Sequence, residues 1–275
     1  MLSLQRYYKQ CSLCWKDVNK RKMSKIELIQ GDCLERMKDI PDGSVDMVLT
    51  DPPYGTTACK WDSVIPFEPM WRQLKRIIKP NGAIVMTASQ PFTTTLISSN
   101  MKMFRYEMVW AKNRGTGIFK AKKMPLKSHE NILIFYEKLP TYIPQMTEGK
   151  PYTCRQGKQS KAFGLDTGKE IVTINKGERY PLTVHSFKST NGKNIHPTQK
   201  PVALMEYLIK TYTNEGETVL DFAMGSFTTA IACLNTKRSF IGIEKDEHYF
   251  QVGKDRLEKH LLTLDYTPII IYNQV

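Results

Sequence analysis

Residues 45–55 read VDMVLTDPPYG. Val45 to Thr50 is a compact, mostly apolar run of strand length, opened by the turn Pro41-Asp42-Gly43. A short run of this kind between turn residues predicts a strand buried on both faces, as in a parallel sheet covered by helices. It runs directly into Asp51-Pro52-Pro53-Tyr54. The carboxyl end of such a strand is where α/β proteins place their ligands.

The flanking sequence has the same texture. Ile26, Leu28 and Ile29 form an earlier strand pattern, followed by Gly31-Asp32 and an amphipathic segment from Cys33 to Ile40. Phe67, Met70, Trp71, Leu74, Ile77 and Ile78 recur at helical spacing until Pro80-Asn81-Gly82. Strand patterns follow at 83–86, 104–110 and 131–136, with a helix over 91–99. After His196 come a helix over 202–212, a strand over 218–222, a helix over 226–235, a strand over 239–243 and a helix over 246–262. Strands separated by helices predict an α/β fold with a doubly wound, mostly parallel sheet. Residues 139–195, rich in Pro, Gly, Thr, Lys and Tyr, predict an irregular insertion with little helix.

Composition narrows the class. A chain of 275 residues with 41% hydrophobic and 24% charged residues is globular, which excludes collagenous, disordered and coiled-coil chains. No apolar run approaches the length of about 18 residues that a spanning helix needs, so no membrane partner is expected. Residues 1–23 lack the apolar centre of a secretory signal, and the expected location is cytoplasmic. The six cysteines are too scattered for a disulfide framework, and Cys11 and Cys14 lack a second pair, so no metal is expected. The net charge of +13 is uneven, at +5 over 1–23, −1 over 24–100, +12 over 101–200 and −3 over 201–275. The middle of the chain is therefore expected to hold a polyanion.

Two constellations carry chemistry. In the first, consecutive prolines stiffen the turn and free its carbonyls. The Asp51 carboxylate and the Pro52 carbonyl, held by Pro53, then both accept from one exocyclic amine, and Tyr54 offers a flat face for stacking. Such an amine is a poor nucleophile because its lone pair is delocalised. Two acceptors on its protons favour the pyramidal nitrogen of the transition state. In the second, Val219 to Thr229 takes a strand into a helix through the small-residue turn Phe222-Ala223-Met224-Gly225-Ser226. Glu244 ends the next strand, where an acid binds ribose hydroxyls. Without a GxGxxG or phosphate-loop signature, a nucleoside without phosphates fits this turn better than a dinucleotide.

With these motifs in this order, the chain resembles the beta class of S-adenosylmethionine-dependent DNA amino-methyltransferases. Asp51-Pro52-Pro53-Tyr54-Gly55 matches the catalytic motif, His196-Pro197-Thr198-Gln199-Lys200-Pro201 a segment beside the cofactor, and Asp221 to Thr229 the cofactor turn. Ser128-His129-Glu130-Asn131 is also family-like. The resemblance covers roughly residues 24–260 and implies a seven-stranded sheet. It implies a catalytic half over 24–138, target recognition over 139–195 and a cofactor half over 196–262, while residues 1–23 form a basic extension without a counterpart in the family and 263–275 a tail. It assigns Asp51, Pro52, Pro53 and Tyr54 to catalysis. Asp32, Thr198, Lys200, Asp221, Phe222, Met224, Gly225, Ser226, Phe227, Thr228 and Glu244 are assigned to S-adenosyl-L-methionine. The implied reaction is methylation of N6 of a flipped adenine in double-stranded DNA, with N4 of cytosine as the alternative. Lys112, Arg114, Lys120, Lys122, Lys123 and Lys127 are expected on a loop, partly disordered without DNA, that grips phosphates. A homodimer and a cognate restriction endonuclease are partners the class suggests. One departure stands out: the family has glycine where this chain has Phe227. The expectation is a ring near the methionine moiety and weakened cofactor binding, or a DNA-binding homologue with impaired catalysis.

Overall fold

The computed structural model describes residues 24–57, 59, 62–156, 171–189 and 199–273. Two compact units emerge, one formed by Ile143–Thr183 and one by the chain on either side of it. The larger unit starts with β1 (Lys25–Gln30), the one-turn helix α1 (Cys33–Arg36), β2 (Val45–Thr50) and α2 (Phe67–Ile77). It continues with β3 (Ile78–Ala88), α3 (Phe92–Ser99), β4 (Phe104–Thr116) and β5 (Lys127–Phe135). The smaller unit holds β6 (Thr147–Glu148), β7 (Tyr152–Gln156), β8 (Ile171–Asn175) and β9 (Glu178–Arg179). The chain re-enters the larger unit with β10 (Val184–Phe187), α4 (Val202–Tyr212), β11 (Thr218–Asp221) and α5 (Thr228–Asn235). It ends with β12 (Ser239–Glu244), α6 (Glu247–Leu261) and β13 (Ile269–Asn273).

The main sheet runs β10-β4-β5-β3-β2-β11-β12-β1-β13. Every neighbouring pair is parallel except those made by β5, which is antiparallel to both β3 and β4. The fold is α/β and mostly parallel; among the described residues the main sheet has nine strands, the seven expected and two more. Both extra strands are edges. β13 arises in the segment expected to be a tail: Ile270 and Tyr272 sit opposite Ile26 and Leu28 of β1. β10 comes from the segment read as insertion and pairs His185 with Trp110 of β4. Each is only four or five residues long, too short for a periodic pattern, and pairing with a long neighbour supplies what the local sequence lacks.

Alternation along the central strands divides the core into two layers. Met47 and Leu49 of β2, Ala83 and Val85 of β3, and Ile132 and Ile134 of β5 pack towards Leu204, Met205 and Leu208 of α4 and Ala230, Ile231 and Leu234 of α5. Val48, Ile84, Met86, Leu133 and Phe135 face Met70, Trp71 and Leu74 of α2 and Phe92 and Leu96 of α3 on the other side. Both faces are covered, which is why β2 reads as continuous apolar sequence. In the smaller unit β6 pairs with β9 and β7 with β8, both antiparallel. Arg179 lies over the Tyr152 ring at 4.7 Å. Among the described residues no helix is long and apolar enough to cross a membrane.

Candidate active site

A cavity of about 1030 Å³ opens at the carboxyl ends of β1, β2, β11 and β12. Gly31 and Asp32, Asp51 to Tyr54, Phe222 to Ser226, and Glu244 all line it, so four separate strand ends converge there. Convergence follows from topology, because parallel neighbours all end on one side of the sheet.

Both oxygens of Asp51 are engaged. Oδ1 accepts from the Tyr54 hydroxyl at 2.6 Å and from the Thr87 hydroxyl, and Oδ2 accepts from the Lys200 ammonium. A carboxylate has about four acceptor sites, so capacity remains for one further donor. Lys200 also lies 3.3 Å from Glu130, whose other oxygen accepts from Lys112. Burial opposes the Lys200 charge, but Asp51 and Glu130 outweigh it and hold the ammonium above its ordinary range. Burial likewise works to neutralise Glu130, yet Lys200 and Lys112 keep its carboxyl below its usual range. Two ammonium groups and two carboxylates thus balance in a space where an unpaired charge is costly. Tyr54 stacks on Phe92 with ring centroids 5.1 Å apart, and burial, reinforced by Asp51 and Glu130, keeps its phenol protonated as a donor.

Lys200, expected beside the cofactor, lines the cavity and has its ammonium on the Asp51 carboxylate. Lys112, expected on a DNA-gripping loop, lies within β4 and is held by Glu130. Glu130 had no role assigned from the sequence beyond a family-like tetrapeptide. Asp62 was missed altogether: its carboxylate accepts from the backbone of Gly55, Thr56 and Thr57 at 2.7–2.9 Å and so pins the chain leaving Tyr54. Burial pushes the Asp62 carboxyl up, but those donors and the Thr57 hydroxyl bring it below its ordinary value. A lone aspartate in a loop carries no sequence signal for this task.

The β11–α5 turn is built around Asp221. Its carboxylate accepts from the hydroxyls of Thr50 at 2.7 Å and Thr229 at 2.6 Å and from the Ala223 N–H at 3.1 Å. It therefore ties the end of β2 to the start of α5. Burial, with Asp51 adding, raises its pKa to about 6 against those hydrogen bonds. Met224 passes directly over Gly242 of β12, where an added Cβ would stand 2.3 Å from its sulfur. Arg256 of α6 donates to the Ser226 carbonyl at 2.7 Å and to the Thr228 hydroxyl at 2.9 Å.

Phe227 also departs from expectation. Its backbone does adopt the left-handed conformation, with φ 61° and ψ 30°. Its ring is fully buried and does not line the cavity. It points into the core, meets Phe250 of α6 edge-on at 5.5 Å, and lies so close to Gly253 that a Cβ there would be 2.3 Å from the ring. Left-handed backbone costs a non-glycine residue about 1–2 kcal/mol. Burying a phenylalanine returns about 1.5–3 kcal/mol, so packing offsets the strain.

At the far end of the cavity, Glu244 accepts from Gly225 N–H and Asp246 N–H, both at 2.8 Å, through different oxygens. Burial raises its pKa against those bonds. Each oxygen keeps acceptor capacity for a hydroxyl. Asp32 caps α1 through Leu34 N–H at 3.0 Å and meets Lys245 at 3.0 Å. Thr198 lies outside the described residues, as do Cys11, Cys14 and the 1–23 extension. Of the remaining cations, Lys120, Lys122 and Lys123 lie on the connecting loop of a β-hairpin, as expected, whereas Arg114 and Lys127 lie in its strands. Arg114 is in β4, Lys120 in a single 3-10 turn, Lys122 and Lys123 just beyond it, and Lys127 opens β5. Thr116 pairs with Lys127 at its base, and both border the cavity.

The model of a DNA methylase family, covering N6 and N4 enzymes, matches residues 45–255. The type II methyltransferase M.HpaI of Haemophilus parainfluenzae is 27% identical over 266 residues, which cover 86% of this chain and 76% of that protein. The solved M1.HpyAVI–SAM complex is 26% identical, covers 84% of this chain and 99% of its own, and superposes with a TM-score of 0.58. PvuII DNA methyltransferase, a cytosine-N4-specific enzyme, shares the fold at 14% identity and a TM-score of 0.60, over 86% of this chain and 89% of its own. The family match spans most of the chain and includes three of the four strand ends that build the cavity, those of β2, β11 and β12. This chain belongs to the N6/N4 DNA methylase family.

Proposed function

We propose that this protein transfers a methyl group from S-adenosyl-L-methionine to the exocyclic N6 of adenine in double-stranded DNA, at a specific sequence, with the target base flipped into the cavity. The observation that carries the reading is the Asp51 carboxylate, held ready by Tyr54, Thr87 and Lys200 in the same cavity as the Phe222–Ser226 turn and Glu244. Choice of adenine over cytosine rests on the DPPY form of the motif.

The turn end of the cavity fits the cofactor. Glu244 retains acceptor capacity on both oxygens for ribose hydroxyls, Asp32 stands near it for the adenine, and Gly31 and Gly225 bring backbone close. When bound, the cofactor supplies an electrophilic methyl group on a sulfonium. The protein's own part is to position and polarise the amine. Asp51 and the Pro52 carbonyl accept its two protons, and the nitrogen lone pair leaves conjugation with the ring. Methylation would place a positive charge on that nitrogen, and Asp51 stands next to the proton that must then leave. The Lys200 ammonium is the same class of donor as the incoming amine, so its partnership with Glu130 gives it somewhere to remain when the base takes its share of Asp51.

The compact unit Ile143–Thr183, within the expected recognition region 139–195, is assigned the reading of sequence. The exposed hairpin cations Arg114, Lys120, Lys122 and Lys123 are assigned phosphate contacts. A cytoplasmic location, a homodimer and a cognate restriction endonuclease belong to the same proposal. Incubation with labelled cofactor and unmethylated amplified DNA, followed by nucleoside mass spectrometry, tests it. N6-methyladenine is the expected product; N4-methylcytosine would establish the alternative target, and no labelled nucleoside would overturn the reading.

A further inference from the structure

Phosphate binding leaves one property of the β4–β5 hairpin unexplained. Ten residues, 117–126, project from the Thr116–Lys127 pair that borders the cavity. Phe119, in the 3-10 turn Ile118–Lys120, is fully exposed, and Ile118 is 67% and Met124 53% exposed. Gly117, at φ 89°, turns the chain so that the 3-10 turn Ile118–Lys120 carries the ring outward. Leaving a phenylalanine in water forgoes the free energy of its burial, and exposed apolar residues grouped in this way mark a contact surface. Its surroundings are cationic. Lys120, Lys122 and Lys123 lie on the same tip, and no acidic residue occurs from Met108 through His129. The matching partner is anionic outside and apolar within, and the base of the hairpin, Thr116 and Lys127, borders the Asp51 cavity. Duplex DNA answers to both features: phosphates outside, stacked bases inside.

We propose that Phe119 is a wedge that enters the base stack beside the target, with Ile118 and Met124 behind it and Lys120, Lys122 and Lys123 on the flanking phosphates. This rests on the reading that the enzyme acts on a base of duplex DNA. Flipping a base costs a few kcal/mol of pairing and stacking and leaves the neighbouring bases with bare faces. A ring stacked on those faces restores part of the lost stacking, and apolar side chains are used in this way by proteins that kink DNA. The wedge would thus hold the vacated gap while the base occupies the cavity.

The full-length protein, Phe119→Ala and Phe119→Trp provide the test. Methylated positions mapped on amplified DNA define a synthetic duplex, prepared with the target base paired or mispaired. Phe119→Ala should lower methyl transfer at least tenfold on the paired duplex and less than threefold on the mispaired one, where the base is already loose. Phe119→Trp should retain the rate. Its fluorescence in excess of wild type should be quenched by duplex DNA and not by vesicles rich in anionic lipid. Equal losses on both duplexes, no loss on the paired one, or quenching by vesicles alone would overturn the wedge. If the wild-type protein methylates no DNA, the proposed reaction fails, and quenching by duplex DNA still decides the wedge by itself.

Discussion

Phe227 shows how one backbone conformation can be met by an unexpected side chain. The turn demands left-handed geometry there, which favours glycine, and the ring repays that demand by filling the space over Gly253 between α5 and α6. Phe227→Gly should therefore destabilise the protein by about 2–4 kcal/mol, from the lost burial and the cavity less the relieved strain. Calorimetry with S-adenosylmethionine should meanwhile show affinity within about threefold of wild type, since the ring is not in the cavity. A large gain in affinity would contradict this placement. Asp221 provides a pH signature. Its carboxyl is raised from an ordinary 3.8 to about 6, so the folded state binds the proton more tightly than the unfolded chain. The stability it contributes is present below about pH 4 and lost as pH rises through 6. Between those limits wild type should lose up to about 3 kcal/mol relative to Asp221→Asn in urea unfolding; parallel pH profiles would refute the burial argument.

At the scale of elements, the hairpin from β4 to β5 is the most informative. The run of cations without acids was legible in the sequence because charge composition is local. Its form as a hairpin was not, since Asn113 to Leu126 has no alternating apolar pattern and is set by the pairing of Thr116 with Lys127. Combined replacement of Lys120, Lys122 and Lys123 by alanine should reduce the slope of log affinity against log salt by about 2–3, at roughly 0.9 per phosphate contact. Cofactor affinity should not move. An unchanged slope would show these lysines to be solvated away from DNA. The extents of α4 and β2, by contrast, follow closely from their apolar spacing and from the turns that bound them.

Across the whole molecule, the balanced group of Asp51, Lys200, Glu130 and Lys112 joins the end of β2, the segment before α4, and strands β5 and β4. Glu130→Gln would leave two ammonium groups facing one carboxylate. Lys200 would then be held more tightly on Asp51, in competition with the base amine. Its expected effect is a fall in kcat of about tenfold, with cofactor affinity unchanged; a wild-type kcat would remove Glu130 from this role. By itself the sequence determined the α/β alternation, the strand ends at Asp51, Asp221 and Glu244, and the family, because apolar periodicity, turn chemistry and short motifs are all properties of neighbouring residues. Only the tertiary structure decided that Lys200 serves Asp51, that Phe227 turns into the core, and that β10 and β13 extend the sheet. Those outcomes depend on which distant surfaces meet and on which way a side chain leaves a left-handed backbone, and neither is written in local sequence.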